Sequence, residues 1–243
     1  GSSEWFDDSE RAADLATGWA AACNAAGVAW GGGETPALGG VVAPDGIDLA
    51  GACVGQIRPK DRLVMGDRLA PGDAVVLVGA SGIHANGLTL ARRIAEAHGD
   101  GYGTLYGEAL LTPTHLYPRF LADVWAAGAD VRYLSNITGH GWRKLMRAPR
   151  DLGYRMHFVP PLSPLFRFLV EQGGISPGEA YGSLNMGAGY AVFVPEADVA
   201  AVQAAAAGQG LAAWDAGRVE EGPRRVAIEA VGVVFEAGAL RLS

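Results

Sequence analysis

The chain is poor in cysteine, with Cys23 and Cys53 alone among 243 residues. They form no CxxC pair and no zinc-ligand spacing, and both read as buried, inert thiols. Long apolar runs are also missing. No stretch of 18 apolar residues is present to cross a membrane as a helix, and no charged segment followed by an apolar one opens the chain as a signal peptide would. A cytoplasmic location is the expectation. Basic residues are outnumbered, 19 against 26 acidic, for a net charge of −7. That disfavours a general nucleic-acid or anionic-membrane binder, but it leaves phosphate sites in local loops open. The familiar nucleotide and hydrolase signatures GxGxxG, GxxxxGK[ST] and GxSxG do not occur.

Glycine, in contrast, is abundant: 36 residues with no three-residue period. Collagen is excluded, and many turns and backbone-lined sites are expected. Apolar residues at 49 % and charged residues at 19 % argue for a folded chain with a sizeable core. Asp8 or Ser9 can cap a helix running to about Ala26 and closed by Gly27. Short strands are expected over Val28–Trp30 and Ile47–Ile57. The polar, turn-rich stretch 58–72 is the best boundary, and it divides the chain into domains 1–66 and 67–243.

Beyond that boundary, strand and helix patterns mix. Val75-Val76-Leu77-Val78 is a buried-strand run, and Leu88–His98 is an amphipathic helix. Ser163-Pro164 starts a helix through Gln172, and Ser176-Pro177-Gly178-Glu179 fits a capping box. Tyr190–Val194 reads as a strand, Glu196 to about Ala207 as a helix, and Val226–Phe235 as a closing strand. The pattern predicts an α/β or α+β sheet protein.

Three glycine-rich turns carry the candidate chemistry. In Gly79–Gly87 the backbone can approach a ligand while His84 and Asn86 add side-chain donors; a plain strand-to-helix turn accounts for it equally well. Asn136-Ile137-Thr138-Gly139-His140-Gly141 precedes a helical-looking segment, Trp142–Met146. It is either a cap with a surface histidine or a second polar loop. Asn185-Met186-Gly187-Ala188-Gly189 is weak alone and fits a bulge or turn. Glu34, beside Thr35 in a glycine-rich loop, can hold Mg²⁺ near a nucleotide or stand solvated.

Taken in order, Gly32-Gly33-Glu34-Thr35, Asp48-Leu49-Ala50-Gly51, Ser81-Gly82-Ile83-His84-Ala85-Asn86-Gly87, Glu108–Thr114, Ile137-Thr138-Gly139 and Asn185–Gly189 resemble the aminoimidazole ribonucleotide synthetase family, also called phosphoribosylformylglycinamidine cyclo-ligase. The resemblance covers about 31–189. It implies the end of a first lobe that binds ATP and dimerises, followed by a second lobe with a mixed sheet flanked by helices. It also implies ATP and Mg²⁺, a phosphorylated small-molecule substrate and a homodimer, with neither nucleic acid nor membrane as partner. The implied activity is ATP-dependent closure of the imidazole ring of formylglycinamidine ribonucleotide.

His84, Asn86 and His140 become the expected catalytic residues. Glu34, Thr35, Ser81, Gly82, Gly87, Thr112, Asn136, Thr138, Gly139, Asn185 and Gly187 are expected to bind substrate or nucleotide, with Glu34 on the metal. Family members carry about a hundred further residues upstream, including the acidic nucleotide motifs, so this chain is expected to be a portion that is inactive alone. Asn136 stands where the family has His, His140 where it has Gly, and Gly182-Ser183-Leu184 where it has Arg-Thr-Phe. A paralogue that activates another small metabolite, or a non-catalytic binding relative, is the alternative.

Overall fold

The computed structural model describes residues 1–98 and 103–240. The chain divides into two compact units, Gly1–Arg62 with Leu116–Arg119, and Leu63–His115 with Phe120 onward.

In the first unit, Ser2 caps helix α1 (Ser3–Asp7), its hydroxyl accepting from the Trp5 amide. The Asp8 carboxylate then caps α2 (Ser9–Ala26) by accepting from the Glu10 and Arg11 amides at 3.1 and 3.0 Å. Gly27 closes α2 at φ 70°, a left-handed conformation that glycine adopts without steric cost. The strands expected over 28–30 and 47–57 do not form. Between Gly27 and Arg62 the described backbone has one isolated bridge, Gly39 to Val42, and one short 3₁₀ turn. Trp30, Leu49, Val54 and Ile57 are exposed there. A strand-like run becomes a strand only when a neighbour takes its amides and carbonyls, and among the described residues of this unit none does. Cys53 is exposed as well, and Cys23 half-buried, against the expectation of two buried thiols.

All seven strands among the described residues belong to the second unit: β1 (Ala74–Gly79), β2 (Tyr133–Asn136), β3 (Leu152–Met156), β4 (Ala188–Val194), β5 (Ala213–Glu221), β6 (Arg225–Ile228) and β7 (Val233–Glu236), in the order β2-β4-β1-β5-β3-β6-β7. Every neighbouring pair is antiparallel except β3 with β6. This is the mixed sheet that the family resemblance implies. Interior strand β1 is buried at all six positions, as an apolar run covered on both faces must be.

Val75 and Leu77 point into one core with residues of α3 (Leu88–His98), α6 (Pro164–Gly173) and α7 (Pro177–Ser183). Alternation turns Val76 and Val78 to the opposite face, where α8 (Val199–Gly208) packs on β1 and β5. Helices α4 (Gly103–Leu110) and α5 (Pro118–Ala126) complete the set. Ser163 caps α6, and the Ser176–Glu179 capping box opens α7 with both reciprocal hydrogen bonds present. The single strand expected over 226–235 is two. A 3₁₀ turn and Gly232 at φ 65° reverse the chain, so β7 returns along β6.

Candidate functional site

Three loops meet at one end of the sheet because the strands that carry them are neighbours. The loop 80–87 leaves β1, the loop 185–187 enters β4, and the loop 137–140 leaves β2. Asn185 ties the first two together. Its side chain is buried, and its Nδ2 donates to the carbonyls of Gly82 and Ile83 at 2.9 and 3.2 Å. Its Oδ1 accepts from the Gly187 amide at 2.9 Å, and its own carbonyl accepts from Trp142 Nε1 at 3.0 Å. The Ala80 amide donates to Gly187 O and the Ile137 amide to Gly189 O, both at 2.9 Å. From sequence Asn185-Met186-Gly187 is weak taken alone; in the folded chain Asn185 is the hub.

Backbone strain concentrates in the same place. Among the described residues three non-glycines have positive φ, and two of them, His84 at 60° and Met186 at 48°, sit in these loops. Such positions cost of order 1–3 kcal/mol each and persist where surroundings over-determine them. Gly87, at φ 88°, would place a Cβ 2.3 Å from Leu184 Cδ2, and Gly139 would place one 2.9 Å from Asn86 Oδ1. The second contact seats the 137–140 loop directly on Asn86.

The left-handed turn at His84 folds its ring back onto the loop. Nε2 lies 3.2 Å from the Ser81 amide and 3.1 Å from Ser81 Oγ. Ser81 Oγ donates to Pro113 O at 2.6 Å, so the Ser81 amide serves Nε2 as donor and the ring proton belongs on Nδ1. Burial, reinforced by nearby His115, pulls the His84 pKa down to about 4. The ring is therefore neutral near pH 7, a donor that carries no charge. Ser81, Gly82 and His115 line a cleft of about 430 Å³ together with Pro160, Trp214 and Gly187. Thr112 packs its side chain on Gly82.

Asn136 is exposed at the end of β2, and Thr138 is half-buried. Both side-chain oxygens accept from the Lys144 ammonium, Asn136 Oδ1 at 3.1 Å. His140 is partly exposed, and its carbonyl accepts from Arg143 Nε at 3.3 Å. Slight burial lowers its pKa, and the cations Arg147, Arg143 and Lys144 lower it further.

The structure thus gathers Ser81, Gly82, His84, Thr112, Asn185 and Gly187, seats Asn86 on Gly139, and links Asn136 with Thr138. Glu34 and Thr35 lie exposed in the other unit. Among the described residues no three His, Cys, Asp or Glu side chains gather for a metal ion. Sequence reading missed His115, Trp214 and Lys144. Lys144 lies eight residues from Asn136, a spacing that no motif marks, and only its place in a basic run could have pointed to it.

The family model of AIR synthase related protein, C-terminal domain, matches residues 70–229. Phosphoribosylformylglycinamidine cyclo-ligase of Rippkaea orientalis is 32 % identical over 231 residues, covering 90 % of this chain and 67 % of the relative. The enzyme of that name from Methanosarcina barkeri is 41 % identical over 179 residues, covering 70 % and 51 %. Its counterpart from Anaeromyxobacter sp. is 38 % identical over 234 residues, covering 91 % and 67 %. The chain spans about half to two thirds of the length of such relatives. A crystal structure of the hydrogenase maturation protein HypE aligns with TM-score 0.51 at 18 % identity over 75 % of this chain and 58 % of that one, and E. coli HypE aligns at 0.50 and 19 % over 72 % and 52 %. At that identity the likeness concerns the fold.

Proposed function

We propose, because the chain belongs to the AIR synthase related protein family, that it supplies the substrate-binding unit of an ATP-dependent cyclo-ligase acting on formylglycinamidine ribonucleotide. The observation that carries the reading is the convergence of the 80–87, 137–140 and 185–187 loops, joined by Asn185 and by the Asn86–Gly139 contact. In this reaction ATP phosphorylates the formyl-amide oxygen and ADP departs. A nitrogen of the same molecule then attacks that carbon, and the carbon–oxygen bond breaks with release of orthophosphate. Ring closure gains from holding both reacting groups in one molecule.

The residues present contribute positioning and hydrogen bonding. Neutral His84 offers its Nδ1 proton to developing negative charge without adding a charge of its own. Ser81 and Asn185 hold the loop in its strained form, so no rearrangement is needed when charge appears. ATP with Mg²⁺ is the proposed cosubstrate of the relative-length protein, acting as a cytoplasmic homodimer. Glu34 alone makes no metal site, and no step here is routed through the ion.

A second reading has its own support. Asn136 and His140 replace the residues of the resembling family at one loop, and Asn136 carries Lys144. A paralogue that activates a different phosphorylated metabolite fits that change. The test is ATP-dependent orthophosphate release by the relative-length protein with formylglycinamidine ribonucleotide and a panel of phosphorylated amides. Turnover with the ribonucleotide supports the first reading, turnover only with another metabolite supports the second, and none with any sinks both.

A further inference from the structure

Every site residue expected from the sequence is neutral or acidic at pH 7, yet the ligand sought is a phosphate ester. The structure supplies the missing cation. Lys144 is one of only two lysines in a chain with 19 basic residues, the other being Lys60. It lies in the 3₁₀ turn 141–147, and its Nζ is held by Asn136 Oδ1 and Thr138 Oγ1. Both partners are neutral acceptors, so they orient the ammonium without cancelling its charge. An ammonium has three N–H donors, and two are committed. Among the described residues Lys144 pairs with no carboxylate.

Its surroundings are basic too. Arg143, Arg147 and Arg150 share the segment 143–150, which contains no acidic residue although the chain as a whole is at −7. Arg143 is spent on structure, donating to the carbonyls of His140, Gly182 and Ala239. Arg147 Nε is buried with no hydrogen-bond partner. Burial and the charge of Arg147 press the Lys144 pKa below the usual lysine value, the behaviour of a cation that lacks an anion.

We propose that Lys144, presented by Asn136 and Thr138, is an anion-binding position of this site, and that its ligand is a phosphate dianion. That group is either the substrate's own phosphate ester or the phosphoryl group delivered during the reaction. The inference rests on the reading that these loops form the substrate site, and the seat of the 137–140 loop on Asn86 connects it to the rest. It also gives the exchange at position 136 a chemical sense: an amide oxygen accepts from a lysine, and it places that lysine without titrating near neutral pH.

The two-lysine composition allows a direct test on the chain itself, without turnover. Reductive methylation is followed at Lys144 and Lys60 by peptide mass spectrometry, with and without inorganic phosphate, at ionic strength matched with chloride. Phosphate is expected to slow modification of Lys144 several-fold and leave Lys60 unchanged. Ribose 5-phosphate in a parallel arm separates the sources: equal protection points to the ester, and protection by inorganic phosphate alone points to the transferred group. Protection of neither lysine, or of both equally, overturns the proposal.

Calorimetry then compares variants. K144M is expected to lose phosphate binding at least tenfold with its thermal midpoint within about 4 °C of the parent, and K144R to retain part of it. Asn136→Asp, which sets a carboxylate on the ammonium, is expected to weaken binding as K144M does. Undiminished phosphate affinity in K144M overturns the assignment. The assay is independent of ATP chemistry, so absent turnover with protected Lys144 overturns the proposed activity and leaves the anion site standing.

Discussion

Residues 1–62 and residues 63–240 are made from similar amino acids and come out differently. In the first stretch Ser2 and Trp5 are the buried residues, and Trp30, Val41, Leu49, Val54 and Ile57 stand in solvent. In the second, seven strands and their covering helices bury a continuous apolar core. An apolar side chain stabilises a fold only if something covers it, at roughly 25 cal/mol per Å² removed from water. The second unit contains its own cover. The first is held by helix caps and a few turns, so its apolar residues contribute little within the unit.

That contrast can be broken by substitution. The largest effect is expected for Gly141→Ala, where φ is 52° and an added Cβ would lie 2.1 Å from Tyr181 O. Urea unfolding should show a loss of about 4 kcal/mol or more, since backbone rather than a flexible side chain must move. A loss under about 1 kcal/mol would mean that the turn is not fixed by α7. Next is Asn185→Ala, which strands two carbonyls and one amide at a buried position. About 3 kcal/mol is expected, together with loss of turnover in the relative-length protein. A stable, fully active variant would remove Asn185 as the hub.

A pH series sharpens the comparison. His84 has a folded pKa of about 4, below its unfolded value, so the unfolded chain binds a proton that the folded chain refuses. Stability of the second unit should be fully present above pH 6.5 and fall as pH drops toward 4, by up to about 3 kcal/mol. His84→Gln should flatten that slope, and an unchanged slope would assign it elsewhere. His140→Ala, at a partly exposed ring, should shift stability by less than about 0.5 kcal/mol. It should reduce turnover of the relative-length protein about tenfold or more if the ring handles a proton; unchanged turnover would make His140 a bystander. The smallest folding effect belongs to Val54→Lys, at a side chain 98 % exposed. Its unfolding midpoint should match the parent. If the uncovered apolar residues of the first unit meet a second copy, light scattering should show a dimer, weakened by this change; a monomer at high concentration would refute the homodimer.

What could be read from the sequence divides along the same line. The caps at Asp8, Ser163 and Ser176, the stop at Gly27 and the runs of β1 and β4 rest on local chemistry, which the chain carries wherever it goes. Strand β5 escaped notice because Ala213–Glu221 contains Asp215, Arg218, Glu220 and Glu221, and owes its strand state to the ladders of β1 and β3. The reverse error at 47–57 has the same cause: a suitable run without a neighbour stays irregular. In the site, glycine-rich spacing marked the three loops. The left-handed turn at Met186, the Asn185 hub and the Lys144 contact depend on which strands lie side by side, and spacing along the chain does not encode that.

The position of β1 has a consequence for synthesis. Among the described strands it comes earliest in the chain and it lies inside the sheet, but its two neighbours are β4, 188–194, and β5, 213–221. At ~5–20 residues per second a ribosome needs on the order of ten seconds to bring both out. During that wait Ala74–Gly79 is an apolar ribbon with two open edges, the kind of segment that pairs with a stranger. Both edges of that ribbon can be paired within this chain only once residue 221 has emerged.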